Sequence, residues 1–188
     1  MVEATITGTL SEDEDSAGSL QVYQAMLKGE KMDGVVQKCT ELGVTTMVPF
    51  QSSRCQGKLD PAVGLKKHGR WQRIGLAACK QCMRPLPMDI EKPVTFQEAI
   101  SNDQLGEKTL RLLFWEEEKE LHLRDVTCLP SAESIALLLG PEGGISQEEV
   151  DFARQHGWVS VSLGQRILRA ETATLTAVSI VQYLAGRL

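Results

Sequence analysis

No stretch of this sequence approaches the roughly 18 consecutive apolar residues of a membrane-spanning helix, so no membrane partner is expected. Its first residues, with Glu3 and Glu12-Asp13-Glu14-Asp15, lack the basic and apolar character of a signal or transit peptide. A cytoplasmic location is expected, with an organelle matrix or stroma as the alternative for a processed precursor. There is no even set of cysteines: the five are Cys39, Cys55, Cys79, Cys82 and Cys128, an odd number spread through apparent helices and strands. That excludes a disulfide framework and points to reduced thiols. Cys79-Lys80-Gln81-Cys82 has C-x-x-C spacing, but it lies inside a helical pattern, whereas a redox pair opens a helix just after a strand. Zinc would need a second ligand pair, and His122 with Cys128 is a poor one. Packing within a helix is the reading for these thiols, and no metal is expected. The Gly-Lys-Ser/Thr of a phosphate-binding loop and the G-x-G-x-x-G dinucleotide fingerprint are also absent, as are internal repeats.

What is present fits one globular domain. The chain has 188 residues, 42% hydrophobic and 24% charged, enough to bury a real core. The net charge of −5 argues mildly against a polyanion partner, but the charge is unevenly placed. From Arg54 to Arg84 eight basic residues stand against one acid, Asp60. Within that stretch the pattern predicts a helix over Pro61–Arg84. Lys66, Arg70, Arg73, Ala77, Lys80 and Arg84 recur at spacings of four and three, which places them on one narrow face. Trp71, Ile74, Ala78 and Cys82 fall on a neighbouring, inward face. A stripe of one sign differs from the mixed charges of a merely solvated helix. Its two readings are a phosphate-contacting surface and a solvated face.

Elsewhere the pattern alternates strand and helix. Strands are predicted over Ala4–Leu10, Gln21–Leu27, Thr45–Phe50, Lys108–Trp115, Ser134–Leu139 and Trp158–Leu163. Helices are predicted over Lys31–Leu42, Thr95–Ser101, Ser146–His156 and Glu171–Leu188. Thr95 with Glu98 and Ser146 with Glu149 have the spacing of capping boxes, and Gly43 stands where a helix-closing glycine belongs. Ser134–Leu139 is almost continuously apolar, as a central parallel strand covered on both faces would be. The fold class expected is α/β, with a mainly parallel sheet and helices on both faces. Ser11–Ser19 reads as an acidic linker.

Two stretches that follow predicted strands carry the chemistry. The first is Leu139-Gly140-Pro141-Glu142-Gly143-Gly144. The second is Leu163-Gly164-Gln165-Arg166-Ile167-Leu168-Arg169, running into Ala170-Glu171-Thr172-Ala173. Glycine-rich loops at strand ends that open onto helices are where α/β sheets place small-molecule sites. Taken alone, the first is either a ligand-approaching backbone or a tight strand–helix turn. Arg166 and Arg169 are improbable core residues, because an unpaired buried guanidinium is costly. They bind a phosphate, stabilise a developing anion, or pair with Glu142 or Glu171.

Together these motifs resemble the signature of the ribosomal RNA small subunit methyltransferase E family. Gln37-Lys38-x-x-Glu41-Leu42-Gly43, Gln81-x-x-Arg84 and Arg54 also match positions of that family, so the resemblance spans about Gln21–Leu188. It implies the SPOUT-type methyltransferase fold with a C-terminal trefoil knot, an exception to the rule against threaded chains. It also implies S-adenosyl-L-methionine as cofactor, transfer of a methyl group to N3 of a uridine in 16S rRNA, and a homodimer. The substrate partner is small-subunit ribosomal RNA or a ribosomal particle. By the same resemblance the cofactor lies on Leu139, Gly140, Pro141, Glu142, Gly143 and Gly144 and on Leu163, Gly164, Ile167, Leu168 and Thr172. The strand end Phe114-Trp115-Glu116 is the third wall. Arg169, Arg84, Arg166 and Glu171 are the catalytic candidates, and Arg54, Lys66, Arg70, Arg73, Lys80 and Arg84 the RNA-contacting ones. The family usually begins with a PUA-like β-barrel, of which residues 1–20 would be a remnant and linker, with residues 21–188 the methyltransferase domain. The alternatives are a knotted methyltransferase for another RNA base and a non-catalytic module that binds cofactor or RNA.

Overall fold

A computed structural model describes residues 18–57, 60–101 and 105–188. The strand expected over Ala4–Leu10, most of the linker and Lys58 lie outside these residues. Among the described residues, seven strands form one parallel sheet: β1 (Ser19–Ala25), β2 (Thr46–Gln51), β3 (Asp89–Ile90), β4 (Val94–Thr95), β5 (Leu110–Phe114), β6 (Ser134–Leu139) and β7 (Val159–Val161). Their order is β3-β2-β1-β6-β5-β7, with β4 also pairing with β2. Pro49, which has no N–H to give a ladder, falls between the β2 residues that pair with β3 and those that pair with β4.

Among the described residues, five helices cover the sheet: α1 (Lys31–Glu41), α2 (Pro61–Gln81), α3 (Phe96–Ile100), α4 (Gln147–Gln155) and α5 (Ala170–Leu184). The central strand β6 shows why both faces are covered. Ile135, Leu137 and Leu139 point into a core shared with α1, α2 and α5. Ala136 and Leu138 point into a second core with α3 and α4. Alternate side chains of a strand face opposite ways, so a strand apolar throughout needs a helical layer on each side. No helix among the described residues is long and apolar enough to cross a membrane.

Several boundaries follow local chemistry. Asp60 caps α2 by accepting the Val63 N–H at 3.0 Å, with Pro61 in the first turn. Both predicted capping boxes, Thr95 with Glu98 and Ser146 with Glu149, are formed. Two expectations need correction. β1 begins at Ser19, inside the stretch assigned to the linker, and ends at Ala25 rather than Leu27. α2 ends at Gln81, because Met83 turns the chain with a φ of 59°, so Arg84 leaves the helical stripe.

At the far edge, the connection from β5 to β6 runs along the outside of β7, where His122 bridges Ser162 in parallel. It returns through 3₁₀ turns at Leu123–Asp125 and Leu129–Ser131. Beyond β7 the chain enters α5, which packs against both β6 and the second of those turns.

Candidate functional site

Parallel strands deliver their C-terminal ends to one edge of the sheet. There β5, β6 and β7 release Phe114-Trp115-Glu116, the Gly140–Gly144 loop and the Ser162–Arg169 segment. These surround a cleft of about 420 Å³, within the size range of small-molecule sites. Phe114, Trp115, Glu116, Leu139, Gly140, Pro141, Glu142, Gly144, Leu163, Gly164, Arg166, Ile167, Leu168 and Arg169 all line it. Gly143 and Thr172, also expected on the cofactor, and the catalytic candidate Glu171 are not among its lining residues.

Backbone conformation explains the glycines. Gly144 has a φ of +73°, and a Cβ built on it would collide with the Glu116 carboxylate; only glycine combines that turn with that contact. At Gly143 a Cβ would press on Arg54, whose Nη1 donates to the Gly143 carbonyl at 3.2 Å. Arg54 therefore rests against the glycine loop rather than on the α2 stripe. The third wall is also held: Arg154 places its guanidinium 5.6 Å from the Trp115 ring centre and pairs with Glu118 at 3.2 Å. Ser160 donates to the same carboxylate and, with further hydrogen bonds, holds it below the usual carboxylate range despite partial burial.

The electrostatics of the rim centre on a residue that the sequence did not single out. Lys31, first in α1, lies 3.1 Å from Glu142 Oε1 and 3.2 Å from Glu171 Oε2. The contacts it donates to Glu142 and then to Glu171 raise the Lys31 ammonium above its ordinary value. Burial pushes the Glu142 carboxyl up. Hydrogen bonds from its own N–H, from Lys31 and from the Lys28 N–H outweigh it, leaving the group below the ordinary range. Glu171 is lowered by its own backbone N–H, against some desolvation, and then by Lys31 and the charge of Arg169. A carboxylate in the first turn of a helix is favoured by the unpaired N–H groups there. Ser162, Gln165, Ala170 and Ala173 complete the lining; the last three lie in the Leu163–Ala173 stretch, but the sequence did not single them out as site residues. Only proximity in chain to the glycine motifs could have marked those four.

The remaining candidates are dispersed. Arg84 Nη1 donates to the carbonyls of Thr40 (3.0 Å) and Val44 (2.8 Å). It thus satisfies carbonyls at the α1 C-terminus and does not line the cleft. Lys66, Arg70, Arg73 and Lys80 are exposed on α2 as predicted, and Trp71 and Ala78 are buried beneath them. Arg70 pairs with Asp33 at 2.5 Å and with Glu30 at 3.4 Å, so the stripe is not purely of one sign once folded.

Comparison with known proteins decides the family. A model described as an RNA methyltransferase domain matches residues 14–182. The ribosomal RNA small subunit methyltransferase E of Aquifex aeolicus is 39% identical over 86% of this chain and 67% of its own length. That of Bacillus subtilis is 35% identical over 87% of this chain and 66% of its own length. This chain belongs to the ribosomal RNA small subunit methyltransferase E family. The structure of the Neisseria gonorrhoeae member, bound to S-adenosyl methionine, superposes with a TM-score of 0.80 at 32% identity, over 89% of this chain and 66% of that one. The fold is that of the SPOUT-type methyltransferases. The chain spans about two thirds of the length of the family members it matches.

Proposed function

We propose that this domain, β1 to α5, transfers a methyl group from S-adenosyl-L-methionine to N3 of a uridine in small-subunit ribosomal RNA, in the compartment where that subunit is made. One observation carries the reading: two glycine-rich loops and a third strand end enclose a single cleft, with two guanidinium groups at its mouth. The cleft fits the cofactor. Phe114, Trp115, Leu139, Leu163 and Leu168 offer apolar surface to an adenine, beside the close-approaching backbone of the glycine-rich loops. Bound there, the cofactor supplies an electrophilic methyl group on a sulfonium.

The chain's own residues supply position and charge. Orientation of the reacting groups accounts for a large share of such a rate. A uridine is neutral at N3 and must lose a proton before it attacks, so the site has to favour an anionic base. Arg169 and Arg166, on the cleft and exposed at its mouth, are placed to do so by preorganised positive charge. Glu142 and Glu171 are engaged by Lys31 and held in the ionised form, which suits them to orienting these cations. Lys66, Arg73 and Lys80 on α2, together with Arg54, would contact the RNA backbone.

A homodimer completes the proposal. Beside the cleft a groove of about 750 Å³ runs along α5, lined by Leu123, Leu163, Leu168, Thr176, Ile180 and Leu184. Ile167, 87% exposed, projects from the adjoining segment. A second copy seated there would bury that surface, and sedimentation velocity reports the mass directly. The function itself is tested by calorimetric titration with S-adenosylmethionine, then by methyl transfer to small-subunit RNA and to particles, with the modified base mapped. Methyl on N3 of one uridine is expected. Methyl on another base reassigns the substrate, and binding without transfer to any RNA removes the enzymatic reading.

A further inference from the structure

The Gly140–Gly144 loop and the start of α5 are joined twice through the β1–α1 region. The lower connection is buried and neutral. Gln24, wholly buried at the end of β1, accepts the Thr174 hydroxyl at 2.6 Å. Its amide donates to the Gly140 carbonyl at 3.4 Å. The upper connection is ionic and lies at the cleft itself. Lys31 reaches Glu142 in the glycine loop and Glu171 in the first turn of α5, and the Lys28 N–H donates to the same Glu142 oxygen at 3.1 Å. The sheet explains why three segments so distant in sequence meet. β1 lies directly beside β6, with Gln24 opposite Leu139, so the turn that starts α1 emerges next to the loop that leaves β6.

We infer that Lys31 is a positioning residue for methyl-donor binding: its ammonium holds the Glu142 loop and the first turn of α5 at the separation that forms the cleft. The inference rests on the proposed cofactor site. Side-chain exposure of 36% for Lys31 and 28% for each carboxylate leaves these pairs partly hydrated, so their part in folding is modest. What such a pair can fix is geometry. Without Lys31, two carboxylates share one wall with no cation between them, and the glycine-rich loop keeps Arg54, the Lys28 N–H and Gln24 but loses its charged link to α5. A loop left mobile in the free protein must be ordered when ligand binds, and that cost appears as lost affinity.

The test is titration of S-adenosylmethionine into the wild type, Lys31→Met and Lys31→Arg, with ligand-free melting curves alongside. Lys31→Met keeps the aliphatic stem and removes the charge. Its Kd is expected to rise about tenfold, or ~1.4 kcal/mol, while the ligand-free Tm stays within about 2 °C. Lys31→Arg should recover affinity to within about threefold of wild type, which restored bulk alone would not do. In the cycle with Glu142→Gln, the double variant should bind no worse than Lys31→Met, because the two groups act through one contact. Wild-type affinity in Lys31→Met, strictly additive losses in the cycle, or a loss that arginine leaves unrepaired would each overturn the inference. Failure of the wild type to bind the donor would instead remove the cofactor site on which it rests.

Discussion

Beneath the cleft, the fully buried Gln24 and Thr174 join the β6 loop to α5 by neutral hydrogen bonds, through the partly buried Gly140 carbonyl. At the mouth, Lys31 joins the same two segments by partly exposed ion pairs. The difference separates two kinds of work. Buried polar atoms have no water to fall back on, so each lost partner destabilises the fold. Exposed charges keep their hydration, so their loss is felt where they set the shape and potential of a ligand site. Interior groups should therefore be read out by unfolding, and rim groups by binding and turnover.

The sharpest separation is expected from Arg169→Ala. Removing preorganised positive charge from a reacting site typically costs about 10²–10³ in rate. Methyl transfer should fall by that order while donor affinity and Tm change little. Turnover near the wild-type level would take Arg169 out of the chemistry. On the interior side, Gln24→Leu strips the Ala25 and Gly140 carbonyls of an amide donor and leaves the Thr174 hydroxyl only the Ala170 carbonyl, and should cost about 2 kcal/mol. That appears as a fall in Tm of roughly 4–8 °C; an unchanged unfolding curve would erase the distinction between interior and rim.

Acid titration sharpens the rim side. The Glu142 and Glu171 carboxyls lie below their ordinary range when folded. Their contribution is therefore complete above the unfolded value near 4.3 and lost as pH falls through the lowered folded values. Donor affinity should decline over that acid window. In Lys31→Met the decline should begin at higher pH, because the carboxyls lose the cation that helps keep them ionised. Identical acid limbs in the two proteins would show that Lys31 does not govern these groups. The smallest effect belongs to α2. In a Lys66/Arg73/Lys80 triple alanine variant, the dependence of RNA affinity on salt should become shallower, by up to about one unit of log–log slope per phosphate contact removed. An unaltered slope would leave the stripe as a solvated face.

Arg70 and Arg84 show where reading along the chain stopped. Their spacing placed both on one basic face, and for Lys66, Arg73 and Lys80 the face is real. Arg70, however, meets Asp33 on α1, and Arg84 turns inward to α1 carbonyls after the Met83 turn. Neither partner is near in sequence, and helical periodicity carries no information about a neighbouring helix. Ser134–Leu139 and the two capping boxes, by contrast, appear with the residues expected, because what determines them lies within a few residues. The glycine loops belong to the same local class, and their motifs located most of the cleft.

What the amino-acid sequence determined alone was the alternation of strands and helices, the apolar strand that demands two helical layers, and the glycine and arginine motifs marking the family. All of these depend on near neighbours in the chain. Which side chains meet at the cleft was settled by folding. Lys31 joins Glu142 and Glu171, and Gln24 joins Thr174, only because parallel pairing brings the end of β1 beside the end of β6 and lays α5 across both. Contacts between segments so far apart are products of strand order, and no local pattern encodes that order.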